Sequence, residues 1–341
     1  MKKTPVFTND ENEINGIFRK KRKKSLQLSE AYVRLSYPKR ADKVKDCGTY
    51  LDFAHEIASD GHVSEHGKLH RANFCRDRFC PMCTWRRSFK YFATISKIME
   101  RAFPQYKFLF LTLTVPNPKG DDLSKVLNQM QHAWSELRKL KRWKDNIKGY
   151  IKTLEITYNN DKQSNAYDTY HPHFHLILAV SKSYADKKKH GQFIDQSEWQ
   201  NLWQQCYIYD RIQSVDIRLV KANHNKMDEQ RSEIDLLGAV CETAKYSVKD
   251  SDYLYPSKNM TDHVLAPLIP ALHNRRLVSF GGCLNEIRKE LGIEEDFEKL
   301  DLVHIDDDSV NGALAQMITR YEWQIGVYKL IDMYVTDPSQ E

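Results

Sequence analysis

His173 and His175 flank one phenylalanine in HPHFHLILAV, residues 171–180. On a β-strand successive side chains alternate faces, so both imidazoles share one side while Phe174, Leu176 and Leu178 share the other. Two imidazoles converging on a point can hold a divalent ion. A histidine pair alone is more often structural, but Glu155 shares a face with Thr153 and Thr157 in an earlier strand, and Thr112 and Thr114 place hydroxyls in an otherwise apolar run. Glu155 is therefore the candidate third ligand. Two nitrogens and one carboxylate leave coordination positions open and suit Mg2+ or Mn2+, with geometry and availability rather than affinity deciding. Such an ion acts as a Lewis acid on a phosphoryl oxygen.

A second cluster lies in FCRDRFCPMC, which carries Cys75, Cys80 and Cys83. The last two stand at the Cys-x-x-Cys spacing, whose tight turn lets two thiolates face one cation. A closed zinc site needs four nitrogen or sulfur ligands, and Cys47 in DCGTY is the fourth candidate. His55, His62, His66 and His70 lie between and are alternatives. The competing readings are reduced core thiols or a redox pair at Cys80 and Cys83. Arg76, Arg78, Arg86 and Arg87 weigh against a core, since buried guanidinium groups demand partners, and they suit phosphate contacts.

In VCETAKYSVKDSDY, Glu242 and Tyr246 are four residues apart on a helix expected over 234–249, which stacks them about 6 Å apart along one face. A carboxylate and a phenol there can address the same phosphate. Lys249 follows at i+3 and could hold phosphate or stabilise a phenolate. Taken alone, the pattern fits a surface salt-bridge ladder better. Tyr253 lies seven residues further on, so spacing also allows a second tyrosine.

These residues need elements to carry them. Residues 108–115 form a compact apolar and threonine run closed by Pro116-Asn117-Pro118, the pattern of a buried strand and a turn. Asp121 or Asp122 caps a helix in which Leu127, Met130, Ala133, Trp134, Leu137 and Leu140 recur at spacings of three and four. Strands are expected at 150–158, 172–180 and 215–220, helices at 196–207 and 234–249, and a loop at 159–169. That order implies an α+β domain with helices packed on an antiparallel sheet. The Pro-containing stretch 255–272 reads as irregular, 285–291 as helical, and the acidic 294–308 as surface. The chain divides into a flexible basic arm (1–40, around RKKRKK at 19–24), a cysteine-rich module (41–105), a central domain (106–255) and a helical, acidic extension (256–341).

The whole-chain numbers agree. At 341 residues with 41% hydrophobic and 29% charged content, the chain can bury a core and is not wholly disordered. No apolar run is long enough to span a membrane, the first thirty residues carry no apolar signal core, and seven cysteines are too few for a disulfide scaffold, so a cytoplasmic location is expected. The net charge of +6 masks a strongly basic body ahead of an acidic end, a balance that suits a polyanion.

Together HPHFHLIL, ETAKYSVK, FLFLTLTVPN and FCRDRFCPMCTWRR resemble the plasmid rolling-circle replication initiators of small Gram-positive plasmids, members of the HUH endonuclease superfamily, from about Cys47 to Tyr255. The resemblance implies an HUH-type antiparallel sheet with flanking helices plus a small N-terminal zinc-binding module. It implies that His173 and His175 bind the catalytic ion and that Tyr246 attacks the nick site, leaving a 5′-phosphotyrosine and a 3′-OH primer. Glu242 matches the glutamate that aids the terminating cleavage; Glu155 and Cys47 are carried over as further ligands. The implied partners are plasmid origin DNA with a hairpin and single-stranded nick site, a host helicase and a DNA polymerase. Relaxases usually carry a third metal-binding histidine and an N-terminal tyrosine, and this chain has neither arrangement. Two rivals remain: a zinc-dependent DNA-binding regulator without catalysis, which leaves the histidine strand unexplained, and an HUH transposase with the same chemistry.

Overall fold

A computed structural model describes residues 8–58, 60–184, 193–221, 233–244, 248–294, 296–305 and 316–336. The chain forms two compact units: residues 1–90 with 300–341, and residues 91–299.

The first unit begins with helices α1 (Thr8–Arg34) and α2 (Pro38–Asp46). The basic run at 19–24, expected as a flexible arm, lies inside α1. Ile14, Phe18, Arg22, Ser25, Leu28 and Tyr32 fall on one buried stripe at spacings of three and four. Arg22 occupies an apolar position in that stripe, which hides the period in the sequence. Its guanidinium donates to the carbonyl of Cys47 at 2.9 Å, so the charge is buried with a partner. Strands β1 (Tyr50–Glu56) and β2 (Lys68–Ala72) follow, then α3 (Pro81–Ala102), which runs on into the second unit.

The residues expected to form an acidic extension do not stay together: 256–299 belong to the second unit, and the chain then returns to the first. There β9 (Gln316–Gln324) and β10 (Val327–Thr336) complete an antiparallel sheet of order β10-β9-β1-β2. Asp52, fully buried on β1, pairs in register with Arg320 on β9 and accepts its guanidinium fork at 2.8 and 2.7 Å. The hairpin turn at Ile325 and Gly326 has φ of 49° and 84°, the left-handed geometry that tight hairpins use.

The second unit is built on a six-stranded sheet of order β7-β6-β3-β5-β4-β8. Its elements are β3 (Lys107–Thr114), α4 (Gly120–Leu137), α5 (Lys141–Asn146), β4 (Ile147–Asn159), β5 (Thr169–Val180), α6 (Gln196–Cys206), β6 (Val215–Lys221), β7 (Glu233–Asp235), α7 (Leu236–Ala244), α8 (Lys258–Leu272), β8 (Val278–Gly282) and α9 (Cys283–Glu290). All pairings are antiparallel except β6 with β7. The expected stripe on α4 is buried at Leu127, Met130, Ala133, Trp134 and Leu137. The stretch read as irregular is helix α8, in spite of Pro267 and Pro270. Its Ser257 hydroxyl caps the first turn, and Val264, Leu265, Leu268, Ile269 and Leu272 bury one face. That burial outweighs the roughly 3 kcal/mol that an interior proline costs.

The β4–β5 hairpin is clipped to α8. Asp168, at φ 58°, accepts hydrogen bonds from Tyr158 Oη and His263 Nε2, each at 2.6 Å. The bond from His263, then that from Tyr158, holds the Asp168 carboxyl at about 2. A depressed carboxyl stabilises the fold above its unfolded value of about 3.9, and that contribution is lost as pH falls through the folded value. The melting temperature of wild type should therefore exceed that of Asp168→Asn near neutrality and converge with it toward pH ~2. Parallel melting profiles across that window would remove the clip from the stability account.

Candidate metal centres

Strand β5 lies between β3 and β4, so its odd-numbered side chains are flanked on both sides. Glu155 on β4 is in register with His173 and Thr153 with His175; Thr114 and Thr112 on β3 stand opposite the same two histidines. The alternation expected from the sequence thus gathers Glu155, His173 and His175, each under one-tenth exposed. His173 Nε2 lies 3.1 Å and His175 Nε2 2.8 Å from the same Glu155 oxygen, and the two nitrogens are 3.1 Å apart.

These distances fit a cation. His173 donates from Nδ1 to the His171 carbonyl at 3.1 Å, which leaves the lone pair of the neutral ring on Nε2. Three lone-pair atoms so close repel unless a proton or an ion sits among them. Adjacent ligands of an octahedral ion at about 2.1 Å are about 3.0 Å apart, close to the spacings found. Burial pushes the His175 imidazole down, against the charges of Glu155 and Glu242, so it stays a neutral donor of electrons. Burial would raise Glu155, but hydrogen bonds and charge from His173 and His175 outweigh it and hold the carboxyl below the usual range. Thr153 Oγ1, beside His175, is buried with no partner among the described residues.

Lys249 Nζ reaches the other Glu155 oxygen at 3.2 Å, so this residue sits at the centre. Glu242 is half-buried on α7 and close enough for its charge to act on His175. The helix expected over 234–249 is described only to Ala244, and Tyr246 lies outside the described residues. Two participants escaped the sequence reading. His171 shares the face of His173 and His175, donating from Nδ1 to Asn117 Oδ1 at 2.7 Å; burial and His173 push it down to about 4. Its signal was the i, i+2, i+4 spacing. Asp252 accepts the Lys249 backbone N–H at 3.3 Å and so closes the turn that presents Lys249. No period in the sequence marks it.

The four cysteines also meet. Cys47 Sγ is 3.6 Å from Cys83 Sγ and 3.5 Å from Cys80 Sγ, and Cys75 is 3.7 Å from Cys83. Zinc–sulfur bonds of about 2.3 Å in a tetrahedron place sulfurs about 3.8 Å apart, so the set fits that ion. Backbone N–H groups of Cys75, Arg76 and Asp77 donate to Cys47, Cys83 and Cys75 at 3.2–3.4 Å, as thiolates require. Among the alternatives, His55 is spent elsewhere: its ring nitrogens meet the Ser64 carbonyl and Thr319 Oγ1.

The four arginines separate. Arg86 donates to the carbonyls of Leu302 and Val303, and Arg87 to those of Arg76 and Asp77; both are under one-tenth exposed. Their expected phosphate contacts give way to structural ones, because a carbonyl cluster satisfies a buried guanidinium at lower cost than solvent exclusion alone. Arg76 is exposed and Arg78 half-buried, which keeps them at the surface.

Fold and ligand clusters together define a mixed α+β protein with two candidate metal centres. A family model described as a replication protein matches residues 66–329. A "Protein rep" from Bacillus amyloliquefaciens is 36% identical over 92% of this chain and 93% of its own length. A second from a Bacillus species is 38% identical over 85% and 92%, and one from Streptococcus pneumoniae 34% over 84% and 82%. No solved structure matches. The chain belongs to the family of plasmid replication (Rep) initiators. No helix among the described residues is long and apolar enough to cross a membrane.

Proposed function

We propose that this initiator is a metal-dependent, site-specific DNA endonuclease and strand transferase of the HUH type with one nucleophilic tyrosine, Tyr246. The meeting of His173, His175 and Glu155 on one sheet face carries the reading. His173, His175 and Glu155 would hold a divalent ion, Mg2+ or Mn2+, which would supply Lewis-acid polarisation of the scissile phosphate. Lys249 bridges Glu155 and the substrate phosphate. Tyr246 gives up its proton as its phenolic oxygen attacks phosphorus; the bond to the 3′-oxygen breaks, and that oxygen takes a proton. The products are a 5′-phosphotyrosine and a 3′-OH from which a host polymerase extends while a helicase displaces the old strand. In the second cleavage Glu242 acts as general base for water, since a single occupied tyrosine cannot serve again. Tyr253 is fully buried, which supports a single nucleophile.

Under this proposal Cys47, Cys75, Cys80 and Cys83 would hold zinc and so brace a DNA-contact module in which Arg76 and Arg78 meet origin phosphates, and the protein works in the cytoplasm on a hairpin with a single-stranded nick site. A zinc-dependent regulator without catalysis would need no buried carboxylate between two histidines. The test is covalent capture. Tyr246→Phe should abolish transfer of a 5′-labelled origin strand to protein, while Glu242→Ala should nick and rejoin but fail to release free ends. Undiminished capture by Tyr246→Phe would place the nucleophile elsewhere.

A further inference from the structure

On the face of the sheet opposite the histidines, the even-numbered residues of β4 pack against helices. Tyr150 meets Trp134 of α4 edge to face, and Tyr158 meets His263 of α8. Lys152 sits in this apolar row and is 3% exposed. Its ammonium lies 4.0 Å from the centre of the Phe174 ring and donates one hydrogen bond, to Gln131 Oε1 at 3.2 Å. It has no carboxylate partner among the described residues. Burial first, then the charges of Arg138 and Arg275, push this lysine down to about 7.

The neighbours are hydrogen-bond donors as well. Asn128 and Gln131 of α4 and Arg138, which caps its C-terminus, lie along one side over about 15 Å. Arg275 donates to the Ala271 carbonyl at 2.9 Å and to Asn128 Oδ1 at 2.8 Å, and Arg138 donates to Tyr150 Oη at 3.1 Å. Among the described residues Arg138 Nε is buried without a partner, and so is Ser279 Oγ on β8, directly opposite Lys152 in the sheet register. Cross-strand partners point to the same side, so Ser279 and Lys152 face one another's space. Like charges brought together around a buried ammonium, with two orphaned donors beside it, cost stability unless an anion joins them. Asn128 and Gln131 are exposed, so the row opens to solvent.

We infer that Lys152, Arg138, Arg275 and Ser279 form a phosphate-binding site on the α4 side of the sheet, separate from the His–Glu centre. A phosphate oxyanion brings several acceptor oxygens and matches both the charge and the unmet donors. Its source, on the reading that the chain processes DNA, is the backbone of the bound strand.

The full chain tests this with inorganic phosphate, set against chloride at equal ionic strength, and with a fluorescent single-stranded oligonucleotide. Phosphate should raise the melting temperature of wild type but not of Lys152→Met, which keeps the side-chain length without the charge. The oligonucleotide should bind Lys152→Met about tenfold more weakly, with the slope of log affinity on log salt reduced by about one. Ser279→Ala, a milder change, should lose part of the phosphate response while folding normally. A phosphate response with unchanged oligonucleotide binding would keep the site and make free phosphate its ligand. Wild type indifferent to phosphate, with an unchanged salt slope in Lys152→Met, would overturn the proposal. Covalent capture through Tyr246 is read separately, so failure of the nuclease reading leaves these outcomes distinct.

Discussion

Glu155→Ala should lower origin cleavage by about a thousandfold at saturating Mg2+ or Mn2+, with the fold intact. A Lewis acid at a phosphoryl oxygen contributes several kcal/mol, and about 4 kcal/mol corresponds to a factor of about 10³ in rate. The carboxylate is the only anion in contact with both His173 and His175 among the described residues, so its loss would leave the two imidazoles alone to hold an ion. It also removes the acceptor that Lys249 uses. Single-turnover nicking of a supercoiled plasmid and calorimetric Mn2+ titration measure the two effects together. Unchanged Mn2+ affinity alongside lost cleavage would recast Glu155 as a group that orients Lys249, and unchanged cleavage would dismiss it from the chemistry.

Chelation should unfold the first unit. Structural zinc in small Cys-ligated sites contributes about 10–16 kcal/mol, comparable to or above the roughly 5–15 kcal/mol of net stability that domains possess. Cys47 closes the cluster from the C-terminal end of α2, linking that helix to the Cys-x-x-Cys turn at the head of α3. Cys47→Ser should therefore lose bound zinc and the cooperative melting of that unit, read by metal analysis and circular dichroism. A chain that carries no zinc and melts unchanged after chelation would show that the sulfurs pack as thiols.

What was legible in the sequence depended on period and spacing. The alternation in 171–180 placed His173 and His175 on one face, and the threonines of 112 and 114 marked the strand beside them. Cys47, far from the other three, was legible only as a residue of the right type, and the same argument admitted four histidines. The errors came where tertiary burial overruled a local rule. Arg22 stood in the stripe of α1 and made a buried helix look like a solvated tail, because the sequence does not display the carbonyls that receive it. Two prolines disguised α8, whose apolar face is satisfied by residues distant in the chain. Arg86 and Arg87 looked like phosphate ligands, since only the folded backbone shows that carbonyls at 302, 303, 76 and 77 await them. Asp252 and Lys152 carry no signature of their own.

The pairing of β1 with β9 sets an order on synthesis. Every described strand of the second unit's sheet comes from one continuous stretch, whereas β1 and β2 wait for β9 and β10, which are translated after that stretch. The unit whose strands begin first is thus completed after the unit that follows it, reversing the usual vectorial sequence. A message cut short after codon 299 would yield a polypeptide with its histidine sheet whole and its cysteine-bearing unit missing two of four strands.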